Sequence, residues 1–241
     1  MEIPEAEMME EKNTGKICVS VAARSMDEAL ELARQNQENA DVIEIRLDTI
    51  DSPAVAPFIQ VLKKPLIFTN RPKWEGGFFE GDEEQRMELL LEAIASGAAY
   101  VDIEMKAIDD LRAKILQEAK KTKTKVIVSW HDFKTTASSN GLATIFQEQY
   151  RSGANIGKIV TMAREFKDVL RILRLQNLSE EMGFPLIAFA MGRKGLISRI
   201  ATLEMNGFMT YAAPDNGQAT APGQFPVSSM RRIMKEFENA D

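Results

Sequence analysis

The stretch DEEQRMELLLEAIASGAAYVDIEM, residues 82–105, decides the fold. Its first half puts Met87, Leu90, Leu91 and Ile94 on one side of a helix predicted over Asp82–Ser96, and Gly97 falls where a helix C-cap is expected. Its second half, Ala99–Met105, is a short strand-like run whose only charged residues are Asp102 and Glu104. A helix followed closely by a strand buried on both faces is the unit of a parallel α/β sheet.

The same unit recurs in both directions along the chain. Further strands are predicted over Ile17–Val21, Val42–Leu47, Leu66–Thr69, Lys125–Trp130, Ile159–Met162, Pro185–Ala190 and Gly207–Tyr211. Helical spacing marks Met26–Ala33, Phe166–Met182 and Ser228–Phe237, with Gly183 at a second C-cap position. Eight strand–helix units in 241 residues match the size of a (β/α)8 TIM barrel, ~250 residues. No G-x-G-x-x-G follows any strand, so a doubly wound dinucleotide-binding sheet loses its main support. No linker composition divides the chain. The expectation is one α/β barrel domain over residues 16–241, preceded by a flexible acidic extension over residues 1–15.

Composition narrows the partners. A net charge of −6 argues against nucleic acid, which demands a basic surface. No apolar run approaches the ~18 residues of a membrane span, and the first eleven residues carry five Glu instead of a signal peptide's order. Cys18 is the only cysteine, so no internal disulfide forms, and a cytoplasmic protein is expected.

Chemistry in such a barrel gathers where strands end. Glu44 and Arg46 share a face at the end of strand two, and Thr69-Asn70-Arg71 closes strand three. Asp102 and Glu104 lie in strand four, Ser129-Trp130-His131-Asp132 ends strand five, and Lys158 falls at the start of strand six. Taken singly, each has a plainer reading: a rim ion pair, a hydrogen-bonded structural histidine, a snorkelling lysine. Taken together, two Glu, two Arg, the sole His and a Lys converge on one barrel end. A desolvated neutral amine attacks carbonyls to form a Schiff base, histidine moves protons near neutrality, and arginines hold an anion. The residues alone lead to a Schiff-base lyase or aldolase acting on a small oxo-acid, with a catalytically silent binding barrel as the rival. No metal-ligand spacing is present, and no metal or cofactor is expected.

Seven motifs in order name a family. Glu44-Ile45-Arg46-Leu47-Asp48, Thr69-Asn70-Arg71-Pro72 with Glu75-Gly76-Gly77, and Tyr100-Val101-Asp102-Ile103-Glu104 resemble type I 3-dehydroquinate dehydratase. So do Ser129-Trp130-His131-Asp132-Phe133, Gly157-Lys158-Ile159-Val160, the run from Met191 to Arg199, and Ala221-Pro222-Gly223-Gln224. The resemblance implies a (β/α)8 barrel, usually homodimeric, that dehydrates 3-dehydroquinate to 3-dehydroshikimate in the shikimate pathway without a cofactor. It implies that Lys158 forms the imine, that His131 transfers protons and that Glu104 orients that histidine. It further implies substrate contacts from Ser20, Glu44, Arg46 and Arg71, a carboxylate site at Arg199, and a closing loop that brings Thr220 and Gln224 onto the substrate. Thr220 departs from the family's usual serine, keeping the hydroxyl and adding a methyl group.

Overall fold

The computed structural model describes residues 15–240, so all but Gly15 of the expected N-terminal extension lies outside the described residues. Eight strands follow one another: β1 Lys16–Val21, β2 Val42–Arg46, β3 Leu66–Thr69, β4 Tyr100–Glu104, β5 Lys125–Asp132, β6 Ile156–Met162, β7 Leu186–Met191 and β8 Met209–Ala212. The helices are α1 Met26–Asn36, α2 Ala56–Val61, α3 Glu83–Ala95, α4 Asp109–Ala119, α5 Ser139–Arg151, α6 Phe166–Leu173, α7 Leu175–Met182, α8 Gly192–Glu204 and α9 Val227–Glu238.

The strands form one parallel sheet in the order β7-β6-β5-β4-β3-β2-β1-β8. Every neighbouring pair in that order is joined by a ladder. The seam between β7 and β8 has none; Phe208, just before β8, donates its N–H to the Leu186 carbonyl at 2.9 Å there. The result is the expected (β/α)8 barrel, nearly closed.

The period-two pleat sorts the interior into tiers. Val42, Ile67, Tyr100, Ile127, Ile156 and Ile187 form an apolar floor. Two residues further along the same strands come Glu44, Thr69, Asp102, Ser129 and Lys158, all buried. One step higher are Arg46, Arg71, Glu104 and His131, at the end where the strands finish. Outward-facing residues such as Ile43, Ile45, Phe68 and Val101 pack beneath the helices, each apolar side chain contributing ~1.5–3 kcal/mol by leaving water.

Most boundaries shift by one or two residues from the sequence reading, and two differences are larger. β6 begins at Ile156, which places Lys158 third in the strand, two residues above the floor. The single helix expected over Phe166–Met182 is two, interrupted at Arg174, where the Asn177 N–H reaches back only three residues to the Arg174 carbonyl at 3.2 Å. Both halves lie against β7 and α5, and α6 packs on α8 as well. Gly97 and Gly183 have φ of 83° and 59°, the left-handed conformation of a C-cap.

Candidate active site

Lys158 stands at the centre. Its Nζ donates to Asp102 Oδ2 at 2.9 Å, lies 3.7 Å from Glu44 Oε1, and sits 4.0 Å from the centroid of the Tyr211 ring. The amine is therefore flanked by two carboxylates. Gln149 of α5 fixes the backbone beside it, donating Nε2 to the Lys158 carbonyl at 2.9 Å. Burial alone would raise the Asp102 carboxyl, but Arg71 and Lys158 hold it below the ordinary carboxylate range.

Arg71 is committed to protein partners. Nη2 donates to Asp102 at 2.8 Å, and Nη1 to Glu104 at 2.6 Å and Ser129 Oγ at 2.7 Å. Arg46 makes a two-pronged pair with Asp48, at 2.8 and 2.6 Å. Glu44 accepts from Thr69 at 2.8 Å and from Ser20. Glu44, Arg46 and Arg71 line the pocket, but Ser20 does not: it is fully buried behind Glu44 and props that carboxylate.

Glu104 requires a correction. It does not orient His131. Fully buried, it lies between two guanidinium groups, Arg71 on one side and Arg86 of α3 on the other, the latter at 2.6 Å. The carboxylate beside the histidine is Glu75, whose Oε1 is 2.9 Å from His131 Nδ1 and accepts the His131 backbone N–H at 3.0 Å. A single 3-10 turn, Lys73–Glu75, swings Glu75 over β5, and Gly76 closes it at φ 78°. A side chain at Gly76 would strike the Phe133 ring, which stacks on His131 at 5.9 Å and 15°. The sequence signal was the Glu75-Gly76-Gly77 run, noted as a motif without a role.

That carboxyl and ring form a weakly polar pair. Burial lifts Glu75 to about 8 against the pull of Arg71. Burial, with Arg71 and Lys158, pushes His131 well below its ordinary value. The network assigns the Nδ1 proton toward Glu75, which leaves Nε2 with a lone pair for a substrate proton.

Arg199 of α8 contrasts with the other arginines. It is fully buried, with Nη1 and Nη2 donating only to the carbonyls of Tyr211 and Pro222, both at 3.3 Å. No carboxylate pairs with it among the described residues, and burial lowers it to about 10. Its Cζ rides 4.4 Å from the Phe189 ring centroid. Such a guanidinium is an anion site in waiting. Thr220 and Gln224 also line the pocket and bond to one another, the Gln224 Oε1 accepting the Thr220 N–H at 2.7 Å.

A buried lysine, a largely buried histidine and an arginine without a carboxylate partner among the described residues, all facing one pocket at the C-terminal end of a parallel barrel, define a barrel enzyme. A family model described as type I 3-dehydroquinase matches residues 17–241, and the chain belongs to that family. It is 42% identical over 222 residues to the 3-dehydroquinate dehydratase of Desulfotalea psychrophila, covering 92% of this chain and 98% of that one. The 3-dehydroquinate dehydratase of Methanococcus maripaludis is 33% identical over 222 residues, covering 92% and 100%. The crystal structure of 3-dehydroquinate dehydratase from Geobacillus kaustophilus superposes with a TM-score of 0.84 at 26% identity, covering 93% and 91%. No helix among the described residues is long and apolar enough to cross a membrane.

Proposed function

We propose that this enzyme dehydrates 3-dehydroquinate to 3-dehydroshikimate, the shikimate-pathway step of its relatives, through an imine on Lys158. The observation that carries the reading is one pocket lined by a buried amine, a histidine with a free ring nitrogen and an arginine without a carboxylate partner. Arg199 takes the substrate carboxylate, which exchanges for the weak carbonyl contacts it now makes. Lys158 adds to the ketone, and His131 assists the loss of water. The resulting iminium withdraws electrons and acidifies the adjacent C2 proton, which His131 Nε2 removes. The C1 hydroxyl then leaves with a proton returned by His131, and hydrolysis frees Lys158.

Glu75 sets the ring of His131, while Glu104 acts further back by balancing Arg71 and Arg86. The segment from Ala213 to Pro226 acts as a lid in this reading, with Thr220 and Gln224 on its inner side. A homodimer belongs to it as well, supported by the apolar patch that Phe166, Leu170 and Ile197 expose on α6 and α8. So does a cytoplasmic location, supported by the lone Cys18.

The test is direct. The enzyme mixed with 3-dehydroquinate should generate the absorbance of a conjugated enone. Added borohydride should leave one substrate-sized mass on the Lys158 peptide. Mass on another lysine, or none, removes the imine.

A further inference from the structure

We propose that Tyr211 is a positioning residue: its ring face carries the Lys158 nitrogen and, through Phe189, fixes that nitrogen's place relative to Arg199. The inference deepens the imine reading above and rests on it.

Each of the two cations that must grip the substrate has an aromatic ring beneath it. Lys158 Nζ lies 4.0 Å from the Tyr211 centroid, and Arg199 Cζ lies 4.4 Å from that of Phe189. The two rings touch, with centroids 6.1 Å apart and planes tilted by 48°. Arg199 also donates to the Tyr211 carbonyl at 3.3 Å. Amine, ring, ring and guanidinium therefore form one continuous chain of contacts.

Where that chain runs gives it weight. Phe189 is on β7 and Tyr211 on β8, the two strands that no ladder joins. Elsewhere in the barrel, ladder register sets the spacing between side chains on adjacent strands. Across this seam the Phe208–Leu186 backbone bond ties the strands only where they begin, so at the height of Lys158 the ring contact and the Arg199–Tyr211 bond set it.

The chemistry favours a ring over a carboxylate as the lasting partner. In condensation the Lys158 nitrogen forms a bond to the ketone carbon, and the carbon–oxygen bond breaks. An ammonium first gives one proton to a base and adds as the neutral amine; water then leaves with a second proton from the nitrogen and the one that the base returns. An ammonium offers three N–H groups, of which Asp102 takes one; the iminium keeps a single N–H and the positive charge. A directional hydrogen bond depends on how that last N–H points. Attraction to a ring face depends only on the charge, so it survives the change. The Tyr211 hydroxyl has no hydrogen-bond partner among the described residues, so the contact with the amine is the ring's.

Three variants of the full chain test this, read by kcat, KM, borohydride trapping and circular dichroism. Tyr211→Leu should lower kcat about tenfold while KM stays within about threefold. Tyr211→Phe, which keeps the face, should recover most of that loss. Phe189→Leu should chiefly raise KM, by about fivefold or more, because Arg199 rides on that ring. An unchanged kcat in Tyr211→Leu overturns the proposal, as does a Tyr211→Phe enzyme as slow as Tyr211→Leu. If Tyr211→Leu does not fold, Phe189→Leu decides: unchanged KM overturns the proposal and raised KM supports it. Failure to trap the parent enzyme on Lys158 overturns the imine reading itself, and is seen before any substitution is made.

Discussion

One oxygen of Glu75, Oε1, meets both the backbone N–H of His131 at 3.0 Å and its ring Nδ1 at 2.9 Å. A single carboxyl thus sets where the strand end sits and how the imidazole is turned. Carboxylates align metal-bound histidines in the same way, by accepting the proton of the ring nitrogen that faces away from the reacting atom.

Removing that carboxyl should slow turnover more than binding. Glu75→Gln keeps an acceptor oxygen but cannot ionise as the ring takes up protons, and kcat should fall about 10–100-fold with little change in KM. Glu75→Ala should fall further. Steady-state kinetics decide, and a near-parent kcat in Glu75→Ala would remove Glu75 from the mechanism.

The acid limb of the rate profile should be displaced. His131 works as a base only when neutral, and its burial beside Arg71 and Lys158 holds it below its ordinary value of about 6.5. The pH profile of kcat/KM should stay level down through that value and fall only at lower pH. At the other end, burial pulls Arg199 down to about 10, so KM should climb as pH rises toward that value. An acid limb centred at or above the ordinary histidine value would contradict the assignment.

Glu104 should matter to stability before anything else. Glu104→Gln leaves Arg71 and Arg86 buried with one anion fewer, and breaking such a pair costs about 3–5 kcal/mol. Urea titration at neutral pH measures it. A Glu104→Gln protein as stable as the parent, yet inactive, would return Glu104 to a direct role beside the histidine.

Through Glu75, the stability of the parent should depend on pH in the opposite sense from that given by an ordinary ion-paired carboxylate. The folded value near 8 lies above that of the unfolded chain, so the folded protein holds a proton that the unfolded chain has released. The parent should therefore lose stability between about pH 4.5 and 8, an amount on the order of a few kcal/mol, and Glu75→Gln should lose less. Thermal denaturation across that range compares the two slopes; equal slopes would deny that Glu75 is protonated when buried.

The loop after β8 should depend on Gln224 and ignore Gln218. Gln224 clamps the loop to itself, accepting the Thr220 and Ala221 N–H groups at 2.7 and 3.2 Å and donating to Thr220 Oγ1 at 3.0 Å. Gln218 is exposed. Gln224→Ala should weaken binding and turnover together by about tenfold and speed cleavage of residues 213–226 by a protease of broad specificity. Gln218→Ala should do neither. Substrate trapped with borohydride should protect the segment in the parent.

The parts of this molecule that were legible in the sequence are those written in local pattern. Residues 82–105 declare a helix and a strand because packing repeats at fixed intervals along the chain, and Lys158 declares itself as a charge inside an apolar strand. His131 was conspicuous as the sole histidine. Glu75 was not legible, because its partner lies 56 residues away and the turn that joins them depends on the left-handed Gly76. Glu104 was misread for the related reason that Arg86, its second counter-ion, sits on the outward helix α3 and reaches inward beside β4. The break at Arg174 escaped because both halves of the stretch carry the same helical spacing and lie against the same strand, β7.

The tier of Val42, Ile67, Tyr100, Ile127, Ile156 and Ile187 beneath the lysine closes the barrel from below. The pocket is consequently a cul-de-sac. Substrate and product, and in the imine reading the water expelled and the water spent, all share one doorway, under the same loop. A product that lingers keeps out both the next substrate and the water needed for its own release, so the traffic of that doorway belongs to the rate as much as the bonds do.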